Sequence, residues 1–401
     1  MNNEMIKKFI LVLFLMLNTA LVLGQKQTLF IDKNYNEALA KSKVDKKPLL
    51  IFFYATWCPH CKKMKAEVFT DSIVTAFYRK NFILMSVDAT STYGQELRTK
   101  LKDKFIVSSF PTFAFLDSNE NLLYCISGEL KRDALLSEGN DVLLPENQLP
   151  NVIKNYNDDP SNPDKCLKYI TTIRKAGLDA TPIAQKYLKQ KTEEEKFIEI
   201  NWKVFAYGIN NFDTDEFKFV VKNKDAFAKV VSQKRVDRKL LFTISETLKP
   251  YVEKIDSINY EKKRLVAESF QIRKVDSLLY RLDIQMVTQS TNSKKYQKIT
   301  SNNVEKYSWN DPVLLYDICN TYFETIADKK GLSQAAEWSK HLLSLGESMD
   351  KYVLITELFL KLKDYKQAQE FGQKGKAFAD GLGFKTELIS SLLEQAKKHN
   401  P

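Results

Sequence analysis

The sequence predicts an α/β domain, in which a mixed sheet lies between layers of helices, followed by an all-helical domain. Three observations support this: strand and helix patterns alternate before residue 150, a continuous apolar run at residues 48–55 has the length of a strand, and strand patterns nearly vanish afterwards. Such an apolar run suits a strand that is buried on both faces. Alternating strands and helices produce a sheet covered by helices.

The predicted elements of the first domain follow one another in order. They are a helix at Tyr35–Lys47, a strand at Pro48–Ala55, a helical stretch from Pro59 to about Arg79, a strand at Phe82–Ala89, a helix around Gln95–Lys102, and strands at Thr112–Asp117 and Leu122–Gly128. The turn residues DSNEN separate the last two strands, so these two predict a hairpin. We expect this domain to occupy residues 25–150.

The second predicted domain, residues 151–401, begins with the linker-like segment NDDPSNPDK at Asn157–Lys165. After this segment the sequence consists mainly of long amphipathic stretches, such as Glu193–Tyr207 and Glu261–Leu282. An apolar face repeated at helical spacing is typical of packed helices. The domain is therefore predicted to be all-helical.

A short internal repeat occurs near the C-terminus, where LSQAAEW and YKQAQEF align with Ala335 over Ala368, 33 residues apart. Each segment follows a predicted break, at Gly331 or Asp364. Tetratricopeptide helix hairpins repeat with a period of about 34 residues. We therefore predict hairpins of this kind near residues 315–395, with a generic helical bundle as the alternative.

The first 24 residues predict an export signal. Lys7 and Lys8 precede the apolar run Phe9–Leu17, and a short segment then leads to Gln25. A charged start, an apolar centre and small residues before the cleavage point are typical of such signals. The alternative, an uncleaved membrane anchor, needs about 20 apolar residues. The sequence thus predicts an exported protein, periplasmic if the host has an outer membrane.

Composition restricts the other classes of function. The net charge is +11, but acidic residues are interspersed among the lysines, which favours a solvated surface over a nucleic-acid site. The chain has 5 cysteines, too few for a disulfide scaffold of this size, and 3 histidines, too few for a histidine-rich metal site. We predict no nucleic-acid partner and no bound metal.

The segment YATWCPHCKKMKAEVF contains two cysteines, Cys58 and Cys61, at the predicted junction of a strand and a helix. Pro59 would be the first helical residue, where the missing N–H is not needed. Free backbone N–H groups and the positive end of the helix dipole would favour the thiolate of Cys58. Cys61, one turn later, could then attack a mixed disulfide formed at Cys58, which is the minimum requirement for thiol-disulfide exchange.

Other interpretations of the cysteines are weaker. A zinc site would need a second pair of ligands at similar spacing, which the sequence lacks. A c-type haem site would need a histidine at Lys62. Cys125 is expected to be a buried inert thiol in a strand. Cys166 and Cys319 are expected to be buried in helices, with a disulfide between them as the alternative.

FFYATWCPHCKKM followed by VSSFPTFAFLDSNENLLYCISGEL resembles the thioredoxin-fold family, in particular its exported thiol-disulfide oxidoreductases. The resemblance covers about 120 residues. It implies that Pro111 is a cis-proline facing the cysteines and that Phe110 offers backbone groups to an extended substrate. It also implies that Trp57 covers the active sulfur and that His60, between the cysteines, lies near Cys58 and stabilises its thiolate. No cofactor is implied other than the redox-active Cys58–Cys61 disulfide.

One residue departs from the family pattern. Oxidoreductases of this fold commonly have a buried carboxylate six residues before the first cysteine, and here that residue is Phe52. The resemblance implies protein thiols and disulfides as substrates, a membrane electron carrier as a partner, and a protein-binding role for the helical domain. Whether the protein oxidises, isomerises or reduces its substrates stays open. The alternative function is a non-catalytic adaptor whose helical domain binds a partner protein.

Overall fold

The computed structural model describes residues 29–32 and 34–399. The predicted export signal lies outside these residues. The chain divides into two compact units, with the division after Ile209. Among the helices of the described residues, none is both long and apolar enough to cross a membrane.

The first unit contains a mixed sheet and the helices that cover it. The strands are β1 (Ile31–Asp32), β2 (Leu49–Tyr54), β3 (Ile83–Asp88), β4 (Thr112–Leu116) and β5 (Leu122–Ser127). The helices are α1 (Tyr35–Asp45), α2 (Pro59–Lys63), α3 (Ser72–Asn81), α4 (Thr92–Leu101), α5 (Arg132–Leu143), α6 (Leu149–Asp158), α7 (Pro163–Lys175), α8 (Thr181–Leu188) and α9 (Glu199–Gly208). The predicted mixed sheet flanked by helices is confirmed.

The sheet has the strand order β1-β3-β2-β4-β5. Strand β3 pairs in parallel with β1 and β2, whereas β4 is antiparallel to β2 and to β5. The predicted hairpin of β4 and β5 is therefore confirmed. All but the last residue of β2 are buried, because this strand lies in the middle of the sheet. The two-residue strand β1 was not predicted, since so short a segment carries no periodic pattern.

The helical stretch predicted from Pro59 to about Arg79 consists of two α-helices, with a π-helical turn between them. Helix α2 leads into a π-helical turn at Met64–Val68, in which the Phe69 N–H donates to the carbonyl oxygen of Met64 at 2.9 Å. Helix α3 then starts anew, because the Asp71 side chain accepts hydrogen bonds from the N–H groups of Ile73 and Val74. The predicted stretch is thus helical, and a local cap, which the apolar pattern does not show, divides it.

Replacing Asp71 with alanine should lower the free energy of unfolding by about 1 kcal/mol, because two N–H groups lose their acceptor. Asp71→Asn keeps an oxygen at the same place and should retain most of the stability. Denaturant unfolding of the two variants measures the difference. Equal losses in both would mean that the carboxylate charge matters and the cap does not.

The first compact unit extends beyond the predicted boundary at residue 150. Helices α6 and α7 pack against β5. The Lys175 ammonium donates to the Tyr124 hydroxyl at 2.5 Å, and the Ile106 N–H donates to the carbonyl oxygen of Ala176 at 2.8 Å. The predicted linker at Asn157–Lys165 is a tight turn in which Asn162 caps α7. A turn-rich composition thus marks a connection between helices of the same unit.

The second unit is helical throughout its described residues. Its helices are α10 (Asp215–Lys222), α11 (Lys224–Val231), α12 (Gln233–Glu253), α13 (Ser257–Ser269), α14 (Val275–Gln289), α15 (Ser293–Ser301), α16 (Val304–Tyr307), α17 (Pro312–Thr325), α18 (Lys329–Ser344), α19 (Met349–Lys361), α20 (Tyr365–Leu382) and α21 (Glu387–His399). The predicted amphipathic stretch Glu261–Leu282 spans α13, α14 and the turn between them.

Corresponding residues of the predicted repeat have similar surroundings. Ala335 and Ala368 are buried in α18 and α20. Trp338 contacts Tyr322 in the preceding helix with ring centroids 5.2 Å apart, and Phe371 stacks on Phe359 of its own preceding helix at 5.6 Å. In each case the aromatic residue fills the space next to the previous helix.

The predicted break at Gly331 was wrong, because this residue lies in the first turn of α18. The helix begins earlier, at Lys329, since the Asp328 side chain caps it by accepting from the Gly331 N–H at 2.8 Å. The break predicted at Asp364 does precede a helix, which Asp364 caps. Asp328 and Asp364 are therefore further apart in sequence than Ala335 and Ala368 are. The two helices thus do not begin at equivalent positions of the aligned segments.

Candidate active site

The two neighbouring cysteines lie where β2 passes into α2. Cys58 is the N-cap residue of α2, and Pro59 follows as the first helical residue, as predicted. The Cys61 N–H donates to the Cys58 sulfur at 3.2 Å. A thiol here occupies the place in which a serine or aspartate oxygen usually accepts from the first turn of a helix. The backbone thus directs a hydrogen bond at the sulfur on which the chemistry would occur.

Cys61 lies deeper than Cys58, at 1% exposure against 3%. Burial, with a further contribution from its hydrogen bond to Cys58, raises the pKa of the Cys61 thiol to about 12, whereas a backbone hydrogen bond with Ala55 and, to a lesser extent, the positive charge of Lys65 oppose this rise. Both cysteines are free thiols in this structure. The pair therefore combines a capping sulfur with a buried thiol that holds its proton at neutral pH.

Phe110 and Pro111 come from the loop before β4 and face the cysteines. The peptide bond between them is cis, as expected for Pro111. The Cys58 thiol contacts the carbonyl oxygen of Phe110 at 3.8 Å. Trp57 is 65% exposed, and its ring meets that of Phe110 edge to face at 5.9 Å. These four residues therefore lie together, although covering of the sulfur by Trp57 stays a prediction.

His60 makes a contact that the sequence did not predict. Its Nδ1 lies 2.5 Å from a carboxylate oxygen of Glu129, whose other oxygen accepts from the Lys63 ammonium at 2.8 Å. Glu129 follows Gly128, which ends the β5 segment with a positive φ of 110°. The carboxylate thus connects the end of the β4–β5 hairpin to α2. An influence of His60 on the Cys58 sulfur stays a prediction.

The hydrogen bonds from Lys63 and His60 lower the pKa of the Glu129 carboxyl below its ordinary 4.5. Lys63→Met should raise that pKa towards 4.5, because the carboxylate loses its first and strongest partner. A carbon-13 NMR titration of the glutamate side chains measures this change. Lys62→Met removes a neighbouring exposed charge and serves as the control. An unchanged titration of Glu129 in Lys63→Met would contradict the contact.

The position six residues before Cys58 is filled by an aromatic ring. Phe52 is fully buried, with ring centroids 5.1 Å from Phe69, 5.2 Å from Phe113 and 5.9 Å from Phe30. A carboxylate surrounded by these rings would lose most of its hydration, whereas an apolar side chain loses nothing by burial there. The packing around Phe52 thus explains why this residue is apolar.

The remaining cysteines have no part in the site. Cys125, Cys166 and Cys319 are buried free thiols, and burial raises the pKa of each to about 12. The predicted inert role of Cys125 agrees with this environment. Cys166 and Cys319 lie in different compact units. Within the described residues, no group of three or more His, Cys, Asp or Glu side chains is arranged to hold a metal ion.

Comparison with known proteins places this site in a defined class. Residues 31–118 match a family model described as thioredoxin-like, and this range contains both neighbouring cysteines and the cis-proline. These residues form a thioredoxin-like domain that is related to thiol-disulfide oxidoreductases. The helices of the second unit lie outside the match.

Three relatives illustrate the relationship. The chain is 33% identical over 117 residues to the chloroplast thioredoxin-like protein HCF164 of Arabidopsis thaliana, covering 29% of this chain and 40% of that protein. It is 35% identical over 85 residues to the thiol:disulfide interchange protein DsbD of Vibrio vulnificus, covering 21% and 14%. It is 34% identical over 92 residues to the disulfide bond reductase DsbH of Chlamydia pneumoniae, covering 21% and 55%. The matched region thus spans less than two thirds of each relative.

Proposed function

We propose that this protein is an exported thiol-disulfide oxidoreductase that exchanges disulfides with protein substrates through Cys58 and Cys61. The observation that carries the proposal is the position of the Cys58 sulfur at the start of α2, where it accepts a hydrogen bond from the Cys61 N–H at 3.2 Å. Cys58 is the nucleophile and Cys61 the resolving thiol. The disulfide between them is the only redox group required.

The exchange has two steps. The Cys58 thiolate attacks one sulfur of a substrate disulfide, that S–S bond breaks, and the first substrate thiolate leaves. Cys61 then loses its proton and attacks the Cys58 sulfur, so the mixed disulfide breaks and the second substrate thiolate leaves. The cysteine pair is oxidised by two electrons while the substrate disulfide is reduced. The reverse sequence transfers a disulfide to a dithiol substrate.

Phe110 and Pro111 are the proposed substrate-binding residues. The carbonyl oxygen of Phe110 lies 3.8 Å from the Cys58 sulfur, so backbone atoms before Pro111 border the place of attack. An extended substrate segment could make backbone hydrogen bonds with this loop, in the way that a peptide adds a strand to the edge of a sheet. The half-buried ring of Phe110 and the exposed ring of Trp57 would supply apolar contact.

The names of two relatives support the proposed class of reaction. Their names describe disulfide interchange and disulfide reduction. Export, with a periplasmic location where an outer membrane exists, and electron supply by a membrane carrier belong to the proposal. We also propose that the second unit, with tetratricopeptide-like hairpins in α17–α21, binds a partner protein, because stacked helix hairpins offer a continuous binding surface.

The reduction potential of the Cys58–Cys61 pair tests the proposal. The protein without its first 24 residues is equilibrated with glutathione and dithiothreitol buffers, and the oxidised fraction is measured by thiol labelling and mass spectrometry. A potential of about −120 to −180 mV would assign a disulfide donor or isomerase, and one of about −220 to −270 mV a reductase. If no reversible disulfide forms, the proposal fails and the adaptor function replaces it.

A further inference from the structure

The buried thiol Cys61 must lose its proton before it can resolve a mixed disulfide. Its burial opposes this loss, because a thiolate is poorly solvated there. The carboxylate that commonly assists this step is replaced by Phe52, whose surroundings are aromatic. The second half of the reaction therefore needs another polar group near Cys61.

Lys65 is the charged residue one turn after Cys61, on the same side of the helical segment. The π-helical turn that contains Lys65 separates α2 from α3, so the chain does not continue as one regular helix. Its ammonium nitrogen lies 3.0 Å from the ring centroid of Tyr54 and 5.9 Å from that of Phe52. The side chain thus lies along the aromatic surface that occupies the place of the missing carboxylate.

This ammonium group is held mainly by aromatic rings. In the part of the chain that the structure describes, Lys65 forms no ion pair with a carboxylate. Cation–π contact is strongest when the cation is partly removed from water, as it is for this half-buried side chain. Within the described residues, no carboxylate in direct contact therefore neutralises the positive charge of Lys65.

The charges that face Lys65 come from each neighbouring strand and from α2. Burial lowers the pKa of the Lys65 ammonium, whereas Asp32 at the end of β1, Cys61 on α2 and Asp88 at the end of β3 raise it. Tyr54 on β2 contributes the ring on which the ammonium rests. Asp32 and Asp88 thus help Lys65 to keep its proton. Cys61 acts on the ammonium in the same direction, and it is the one thiol among these groups.

We propose that Lys65 is a positioning residue for the resolving step, in which its ammonium group stabilises the Cys61 thiolate in place of the usual buried carboxylate. This inference rests on the proposed function. The Cys61 proton leaves to solvent, the new bond forms between the sulfurs of Cys61 and Cys58, and the substrate sulfur leaves with the electron pair of the broken bond. A nearby cation favours the thiolate throughout, whereas a carboxylate would take up the proton but repel the thiolate.

The test measures the reactivity of Cys61 at neutral pH, in a Cys58→Ser background. Alkylation of Cys61 by iodoacetamide is followed by mass spectrometry, and a Cys58→Ser/Cys61→Ser variant gives the background. Adding Lys65→Met should slow this alkylation about threefold or more, because the thiolate loses a nearby positive charge. Lys65→Arg should keep the parent rate, because it keeps the charge. Lys62→Met, which removes an exposed lysine from the same helix, should also leave the rate unchanged.

A kinetic measurement supplies the second readout, in protein that keeps both cysteines. Lys65→Met should slow the release of substrate from the Cys58 mixed disulfide three- to tenfold, since part of the lost thiolate is offset by its greater nucleophilicity. Equal alkylation rates of Cys61 in Lys65→Met and Lys62→Met would overturn the inference, as would an equal effect of Lys65→Arg and Lys65→Met. The alkylation rate remains decisive even if the protein fails to exchange disulfides, so the two proposals can fail separately.

Discussion

Cys58→Ser is expected to reduce disulfide exchange to the uncatalysed background. A serine hydroxyl can accept the hydrogen bond from the Cys61 N–H, so α2 should keep its cap and the fold its stability. It cannot, however, form the sulfur–sulfur bond on which the reaction depends. Reduction of a protein disulfide, followed by precipitation of its released chain, measures the loss.

Cys61→Ser should have a different effect, because the nucleophile remains and the resolving thiol is gone. Substrates should accumulate as mixed disulfides with Cys58 that are stable until a reductant is added. Non-reducing electrophoresis and mass spectrometry of the adducts detect them.

Cys125→Ala is the matched control for both cysteine variants. It removes another buried thiol of the same unit, one that lies in β5 and outside the site. Its exchange rate should equal that of the parent protein. Full activity of Cys58→Ser would contradict the assignment of the nucleophile.

Gly94→Ala should destabilise the first unit by about 3 kcal/mol or more, at the upper end of the range for overpacking. An added Cβ would lie 2.0 Å from the carbonyl oxygen of Asp88 and 2.8 Å from the Cα of Ala89, both backbone atoms at the end of β3. The Gly94 N–H also donates to the Ser91 hydroxyl that caps α4. Helix α4 can therefore approach the sheet this closely only without a side chain at this position.

Gly381→Ala is the matched control for that substitution. It lies inside α20, and an added Cβ would meet no heavy atom within 4 Å. Alanine there should stabilise the second unit by up to about 1 kcal/mol, because glycine is the poorer helix former. Differential scanning calorimetry measures both changes. A Gly94→Ala protein that unfolds at the parent temperature would show that α4 can move away from β3 at no cost.

Much of the first unit could be predicted because its strong signals are local. The apolar run before Tyr54 gave the central strand, and the turn between β4 and β5 gave the hairpin. Cys58 and Cys61 were found because their spacing, with Pro59 between them, places one sulfur at a helix start. The cis isomer at Pro111 was expected only because the sequence resembles a known family, since an X-Pro bond is seldom cis in folded proteins.

Other features depend on contacts between distant parts of the chain. Glu129 reaches His60 only because the hairpin brings the end of β5 back beside α2. The inclusion of α6 and α7 in the first unit depends on packing against β5 and on the Lys175–Tyr124 hydrogen bond, and α8 and α9 pack in turn on α7. A turn-rich segment at residues 157–165 looks the same whether the helices around it pack together or separate.

By itself, the sequence determined the two structural classes of the chain, the dithiol and its place at the start of a helix, because hydrophobic period, turn residues and cysteine spacing act over a few residues. Tertiary structure alone decided that the helix after Cys61 widens and ends before Asp71, and that Lys65 rests on Tyr54 where a carboxylate is absent. It also decided how deeply each sulfur is buried. Burial and charge neighbours control proton affinity, and both arise only when remote segments pack together.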